Sequence, residues 1–129
     1  MSVQSPRVLV ADDDPDIRDL VCLAVRRAGG AVVASVGDGR TALAAARDQQ
    51  PALAVLDVSM PGATGLEVCT ALRGDAATAG VRVLLLSAGA SSDDVARGLA
   101  AGADAYLAKP FGVAELVRQV RDLTAGRAA

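Results

Sequence analysis

The sequence predicts an α/β fold, a doubly wound sheet of five parallel strands with five helices covering its two faces. Three observations carry that prediction. Apolar residues fall alternately in short continuous runs and in stripes of helical spacing. This strand-then-helix unit recurs along the chain, the pattern that builds a parallel sheet. The polar residues that interrupt it stand where apolar runs stop, the place where open sheets of this class collect functional groups.

Val8-Leu9-Val10-Ala11 is a continuous apolar run, as expected of a strand buried on both faces. It stops at Asp12-Asp13-Asp14. Ile17, Leu20, Val21, Ala24 and Val25 then follow at i, i+3, i+4, i+7 and i+8, one stripe on a helix. Asp14 before Pro15 suits the start of that helix, as N-cap and first-turn residue, and Gly29-Gly30 ends it. A second strand is predicted over Ala31–Ser35, with an Ala-rich helix over Gly39–Asp48. The third pair is a strand over Ala52–Leu56 and a helix over Gly65–Arg73. Val81–Leu86 is the most apolar strand, followed by a helix over Ser91–Ala101. Ala105–Ala108 reads as a short fifth strand, and Val113, Leu116, Val117 and Val120 mark a last helix. Thr124–Ala129 is expected to be a frayed tail.

The length of 129 residues is that of one domain, read as 1–129 with a core over about 7–123. Thirteen basic residues against fifteen acidic ones give a formal charge of −2, and no long basic tract gives this domain a reason to bind nucleic acid directly. Cys22 and Cys69 fall in helical segments without metal-ligand spacing or CxxC pairing, and read as small apolar fillers. Met1 to Pro6 lacks the layout of a signal peptide, and no apolar run approaches the ~20 residues of a membrane span. The chain is therefore expected to be soluble and cytoplasmic, with no membrane partner.

In the flavodoxin-like strand order 2-1-3-4-5 the second strand lies at an edge, and nothing comparable ends it. The other four strands end in Asp12-Asp13, Asp57, Ser87 and Lys109. Three carboxylates, a hydroxyl and an ammonium are thus delivered to one rim. Carboxylates within a few Å of each other cannot all stay ionised cheaply unless a cation intervenes. A hard divalent ion with oxygen ligands resolves the conflict, and magnesium suits a site of few carboxylates because it keeps water and recruits phosphate oxygens. Lys109 adds a compact positive charge suited to phosphate, and Ser87 a hydrogen-bond donor. A carboxylate so flanked is equipped to attack phosphorus, because its neighbours neutralise charge on the transferring group.

Each residue alone has a plainer reading. Asp14 is explained by helix capping, Asp12 or Asp13 by a loop, and Asp57 by the turn at Met60-Pro61-Gly62. Lys109 before Pro110 can be a solvated lysine at a turn. Their common placement at strand ends is what those readings leave unexplained.

Four segments together resemble the signature blocks of two-component receiver domains: 8–14, 56–67, Leu86-Ser87-Ala88, and 103–111. The resemblance covers essentially the whole chain. It implies that Asp57 is the phosphoacceptor, taking a phosphoryl group from a sensor histidine kinase or a phosphotransfer protein. It implies that Asp13 ligates Mg2+ directly, that Asp12 holds the ion through water, and that the backbone carbonyl of Ser59 is a further ligand beside Asp57. Ser87 and Lys109 would bind the phosphoryl oxygens, with Lys109-Pro110 a cis bond. Phosphorylation would draw Ser87 toward the phosphoryl group and let Tyr106 turn inward, altering the face of the fourth helix, fifth strand and fifth helix for a downstream protein target or an output domain.

Ser59 and Gly89 stand at the two places where family members tune phosphoryl lifetime. Neither offers an acid or carboxamide to orient an attacking water, so moderate to slow self-dephosphorylation is expected. The chain is read as a signalling receiver that catalyses only its own phosphorylation and dephosphorylation. Three alternatives stand beside this reading. A degenerate receiver would show gaps in the site, whereas all five positions hold suitable chemistry. A phosphatase with an aspartate nucleophile would need a second acid where Ser59 stands. A flavodoxin would want a phosphate-cradling loop where Asp12-Asp13-Asp14 would repel phosphate. The sequence leaves open whether the domain acts alone or within a longer regulator.

Overall fold

A computed structural model describes residues 5–89 and 91–125. Its elements are β1 (Arg7–Ala11), α1 (Pro15–Arg27), β2 (Ala31–Val36), α2 (Gly39–Gln49), β3 (Leu53–Asp57), α3 (Gly65–Arg73), β4 (Arg82–Ser87), α4 (Ser92–Ala100), β5 (Ala105–Ala108) and α5 (Val113–Thr124). All four strand pairings are parallel, in the order β2-β1-β3-β4-β5. This is the predicted architecture.

The continuous apolar runs of the central strands follow from cover on both faces. Side chains alternate across a strand, so each run divides between two cores. Val8 and Val10 of β1, Leu53 and Val55 of β3, and Leu84 and Leu86 of β4 pack with Val21, Val25, Leu116 and Val120 of α1 and α5. Leu9, Ala54, Leu56, Val83 and Leu85 point the other way, onto Ala42 and Ala46 of α2 and Val68, Cys69 and Leu72 of α3. Both cysteines are free and buried, as small apolar fillers would be.

Local chemistry sets the helix starts. Asp14 caps α1, its carboxylate accepting from the amides of Asp16 and Ile17. Thr64 and Glu67 form a reciprocal capping box at α3. Ser91 is the N-cap of α4 rather than its first residue, its hydroxyl accepting from the Asp94 amide.

Several expected boundaries shift by one residue. Asp57 and Ser87 belong to their strands rather than following them, because ladder partners continue to Leu86 and Ala108 respectively. Ala52 and Val81 precede β3 and β4, which begin at Leu53 and Arg82. Thr124, expected in the tail, closes α5: it is buried, and its hydroxyl donates to the Val120 carbonyl, which satisfies it without solvent. Residues 126–129 of that expected tail lie outside the described residues.

Candidate functional site

The register of the sheet delivers β1, β3, β4 and β5 to one rim. Asp12 follows β1 directly, and its amide donates to the Val36 carbonyl, prolonging the β1–β2 ladder by one residue. Its side chain is fully buried. One carboxylate oxygen, Oδ1, accepts from the Asp14 amide at 2.9 Å; the other, Oδ2, accepts from Lys109 Nζ at 3.1 Å. Asp57 ends β3 and is 4% exposed, with Oδ1 accepting from the same Nζ at 3.2 Å. One ammonium therefore joins two carboxylates from neighbouring strands.

Asp13 is exposed, yet one of its carboxylate oxygens lies within 4.8 Å of those of Asp12 and Asp57. Two buried acids and one at the mouth form a cluster of hard oxygen donors, and among the described residues Lys109 is the cation paired with their carboxylates. That donor set fits a small divalent cation.

The electrostatics follow from this crowding. Burial raises the Asp57 carboxyl above its ordinary value, and the Asp12 charge adds to the effect; Lys109 opposes both without cancelling them. Burial alone would lower the Lys109 ammonium, but hydrogen bonds to Asp12 and Asp57 outweigh it and hold the group above its usual value. Lys109 is thus a fixed positive charge at neutral pH. It follows β5, and its amide donates to the Ser87 carbonyl at 2.7 Å, so β4 and β5 set its position. The Lys109-Pro110 bond is cis.

Close packing at the start of α3 fixes Asp57 from behind. A Cβ at Gly65 would lie 2.5 Å from the Asp57 carbonyl oxygen, so only glycine lets the helix begin against the end of β3. The turn between them carries Ser59, which is exposed two residues beyond Asp57.

Ser87, at the end of β4, accepts through Oγ from the Gly89 amide at 3.0 Å. Its hydroxyl is thus engaged with its own loop rather than with Asp57 or Lys109. Tyr106 on β5 donates its hydroxyl to the Gly89 carbonyl at 2.5 Å, an inward placement.

Arg18 was not singled out by sequence reasoning. It is half-buried on α1, and its Nη1 donates to the Asp12 carbonyl at 3.0 Å, pinning the acidic loop. The available signal was a cation four residues after the cap Asp14, next to the apolar stripe.

Comparison with known proteins agrees with this geometry. The family model described as "Response regulator receiver domain" matches residues 8–121. The DNA-binding response regulator MtrA of Mycolicibacterium smegmatis is 42% identical over 121 residues, 94% of this chain and 51% of that protein. The transcriptional regulatory protein PrrA of Mycobacterium tuberculosis is 48% identical over 121 residues, with the same coverage of 94% and 51%. The chain thus spans about half the length of these curated relatives. Among solved structures, the signal receiver domain of NarL from Mycobacterium tuberculosis superposes with a TM-score of 0.88 at 35% identity, over 96% of this chain and 99% of that one. The chemotaxis response regulator CheY4 of Vibrio cholerae gives 0.86 at 32% identity, over 93% and 99%. The chain belongs to the family of response regulator receiver domains, the phosphorylation-dependent signalling switches of two-component systems.

Proposed function

We propose that Asp57 is the residue that carries the phosphoryl group, and that Lys109, Ser87 and the Asp12–Asp13 pair are the machinery that puts it there. The observation that supports this most directly is the sharing of one lysine ammonium between Asp12 and Asp57. Such a bridge aims the Asp57 carboxylate and favours its charged form, against the burial that raises its carboxyl.

In the proposed step an Asp57 carboxylate oxygen attacks phosphorus of a phosphohistidine donor. A P–O bond forms, the P–N bond breaks, and the departing imidazole nitrogen takes a proton from solvent. Lys109 moves with the charge, from the carboxylate to a phosphoryl oxygen, as a point-charge partner suited to phosphate. Ser87 exchanges the Gly89 amide for another phosphoryl oxygen. Asp12, Asp13, Asp57 and the Ser59 carbonyl would hold Mg2+, which supplies charge neutralisation at the phosphoryl oxygens when bound. Ser59 and Gly89 bring no acid or carboxamide of their own to the attacking water, which supports slow to moderate hydrolysis of the product.

An apolar groove of about 470 Å3, lined by Ile17, Leu20, Ala88, Lys109, Pro110 and Phe111, opens beside Lys109. It supports docking of the donor, a histidine kinase or phosphotransfer protein, next to the acceptor. Signalling onward is assigned to the face of α4, β5 and α5, through Tyr106. The curated relatives are a DNA-binding response regulator and a transcriptional regulatory protein. We therefore assign the downstream element to DNA-binding output, in the same polypeptide or a partner, with no nucleic-acid contact by this domain. No helix among the described residues is long and apolar enough to cross a membrane.

Incubation with acetyl phosphate, with and without Mg2+, tests the reading by intact mass. One added phosphoryl group that requires Mg2+ and is lost in Asp57→Ala is expected; addition to Asp57→Ala at the wild-type level would refute it.

A further inference from the structure

Gly98 and the ring of Tyr106 meet beneath α4. Gly98 is the only residue of that helix that is buried, and it sits in the helix interior. Glycine there is unfavourable relative to alanine, so its presence calls for a packing reason. The reason is geometric. A Cβ at Gly98 would lie 2.9 Å from Tyr106 Cδ2, 3.3 Å from Cε2 and 3.1 Å from Leu85 Cδ1. Leu85 is fully buried in the core behind, and the ring is tethered through its hydroxyl to the Gly89 carbonyl. The tethered ring cannot yield cheaply to a methyl group, whereas the end of the Leu85 side chain needs to give by only a few tenths of an ångström.

Gly89 is held from two sides. Its carbonyl accepts from Tyr106, and its amide donates to Ser87 Oγ. The inward ring and the hydroxyl at the end of β4 therefore act on the same residue of the β4–α4 loop.

We infer that Gly98 is a positioning residue of the switch: by lacking a side chain it admits Tyr106 to its inward place, and through Gly89 it sets the arrangement in which Ser87 is presented. The signalling meaning of this assignment rests on the reading of Ser87 and Tyr106 given above, but the contact itself is testable without phosphate. Gly98→Ala puts a methyl 2.9 Å from the ring, so the ring or the helix must shift.

Tyr106 is the only tyrosine of the chain, and there is no tryptophan, so a single fluorotyrosine label reports on this ring alone. Gly98→Ala is expected to move the fluorine resonance of the labelled protein toward that of free fluorotyrosine. A double-mutant cycle completes the test. In a Tyr106→Ala background, Gly98→Ala should raise Tm by about 3 °C, the usual helix gain for a domain of this size. In the wild-type background it should lower Tm or leave it unchanged. An unmoved resonance together with the same gain in both backgrounds would overturn the inference. If Gly98→Ala does not fold beside Tyr106, folding of the double variant supports the ring clash, and its failure to fold overturns it. Absence of phosphorylation alongside a positive cycle would refute the switch reading while upholding the contact.

Discussion

Lys109 Nζ stands 3.1 Å from Asp12 Oδ2 and 3.2 Å from Asp57 Oδ1, a single cation shared by two buried acids from adjacent strands. The relationship is more than an ion pair. With three charges in play, removing the cation leaves two buried like charges facing each other.

Lys109→Ala should therefore destabilise the protein strongly in the absence of divalent ions. Breaking a buried pair by deleting one partner costs roughly 3–5 kcal/mol, and the variant should lose about 3 kcal/mol in urea unfolding. Phosphorylation by acetyl phosphate should fall with it. An unchanged denaturation midpoint would show that the bridge does not form in solution.

Magnesium should stabilise the native state, because the ligand cluster exists only when the strands are assembled. At a concentration one hundred times Kd the gain is about 2.7 kcal/mol. Asp13 is exposed, so Asp13→Ala should fold normally but lose most of that gain. Thermal melts with and without Mg2+ measure it. An equal rise in wild type and Asp13→Ala would remove Asp13 from the ligand set.

The pH dependence has a definite sign. The Asp57 carboxyl is raised in the fold above its ordinary 3.8, so between those two values the folded state holds more proton than the unfolded one. Stability from this group is present at low pH and is lost as pH rises through that window. Asp57→Asn should abolish that fall in metal-free buffer and be the more stable protein at neutral pH. Parallel stability profiles for the two proteins would contradict the assignment.

At the opposite end of the sheet, Arg73 donates to the carbonyls of Ala79, Val81 and Gly102 and pairs with Asp104, whose carboxylate also accepts from the Val83 amide. This ties the loops before β4 and β5 together. Arg73→Ala should cost roughly 2–3 kcal/mol, through lost hydrogen bonds and stranded carbonyls. Its phosphorylation rate, per folded molecule, should match wild type. A large drop in that rate would mean that the two ends of the sheet are coupled.

Much of this molecule is local in origin and so legible in the chain. The cap at Asp14, the box at Thr64 and Glu67, and the apolar runs of β1, β3 and β4 depend on neighbours in sequence or on periodicity. Once the strands were placed, the convergence of Asp12, Asp57 and Lys109 followed from topology. Other features depend on side-chain geometry across elements. The reach of Arg18 to the Asp12 carbonyl, the grip on Gly89 from Ser87 and Tyr106, and the gap at Gly98 involve residues whose types are unremarkable. The apolar stripe of α5 stops at Val120, which makes Thr124 read as tail, whereas it is buried and its hydroxyl is satisfied by the Val120 carbonyl.

The central claim is that Asp57 is the acceptor. The most direct measurement is borohydride reduction of the phosphorylated protein, followed by peptide mass mapping, since reduction converts an aspartyl phosphate to homoserine. Homoserine at position 57, dependent on Mg2+ during phosphorylation, is the predicted result. Homoserine at another aspartate, or a phosphorylated protein in which position 57 is unmodified, would contradict the account.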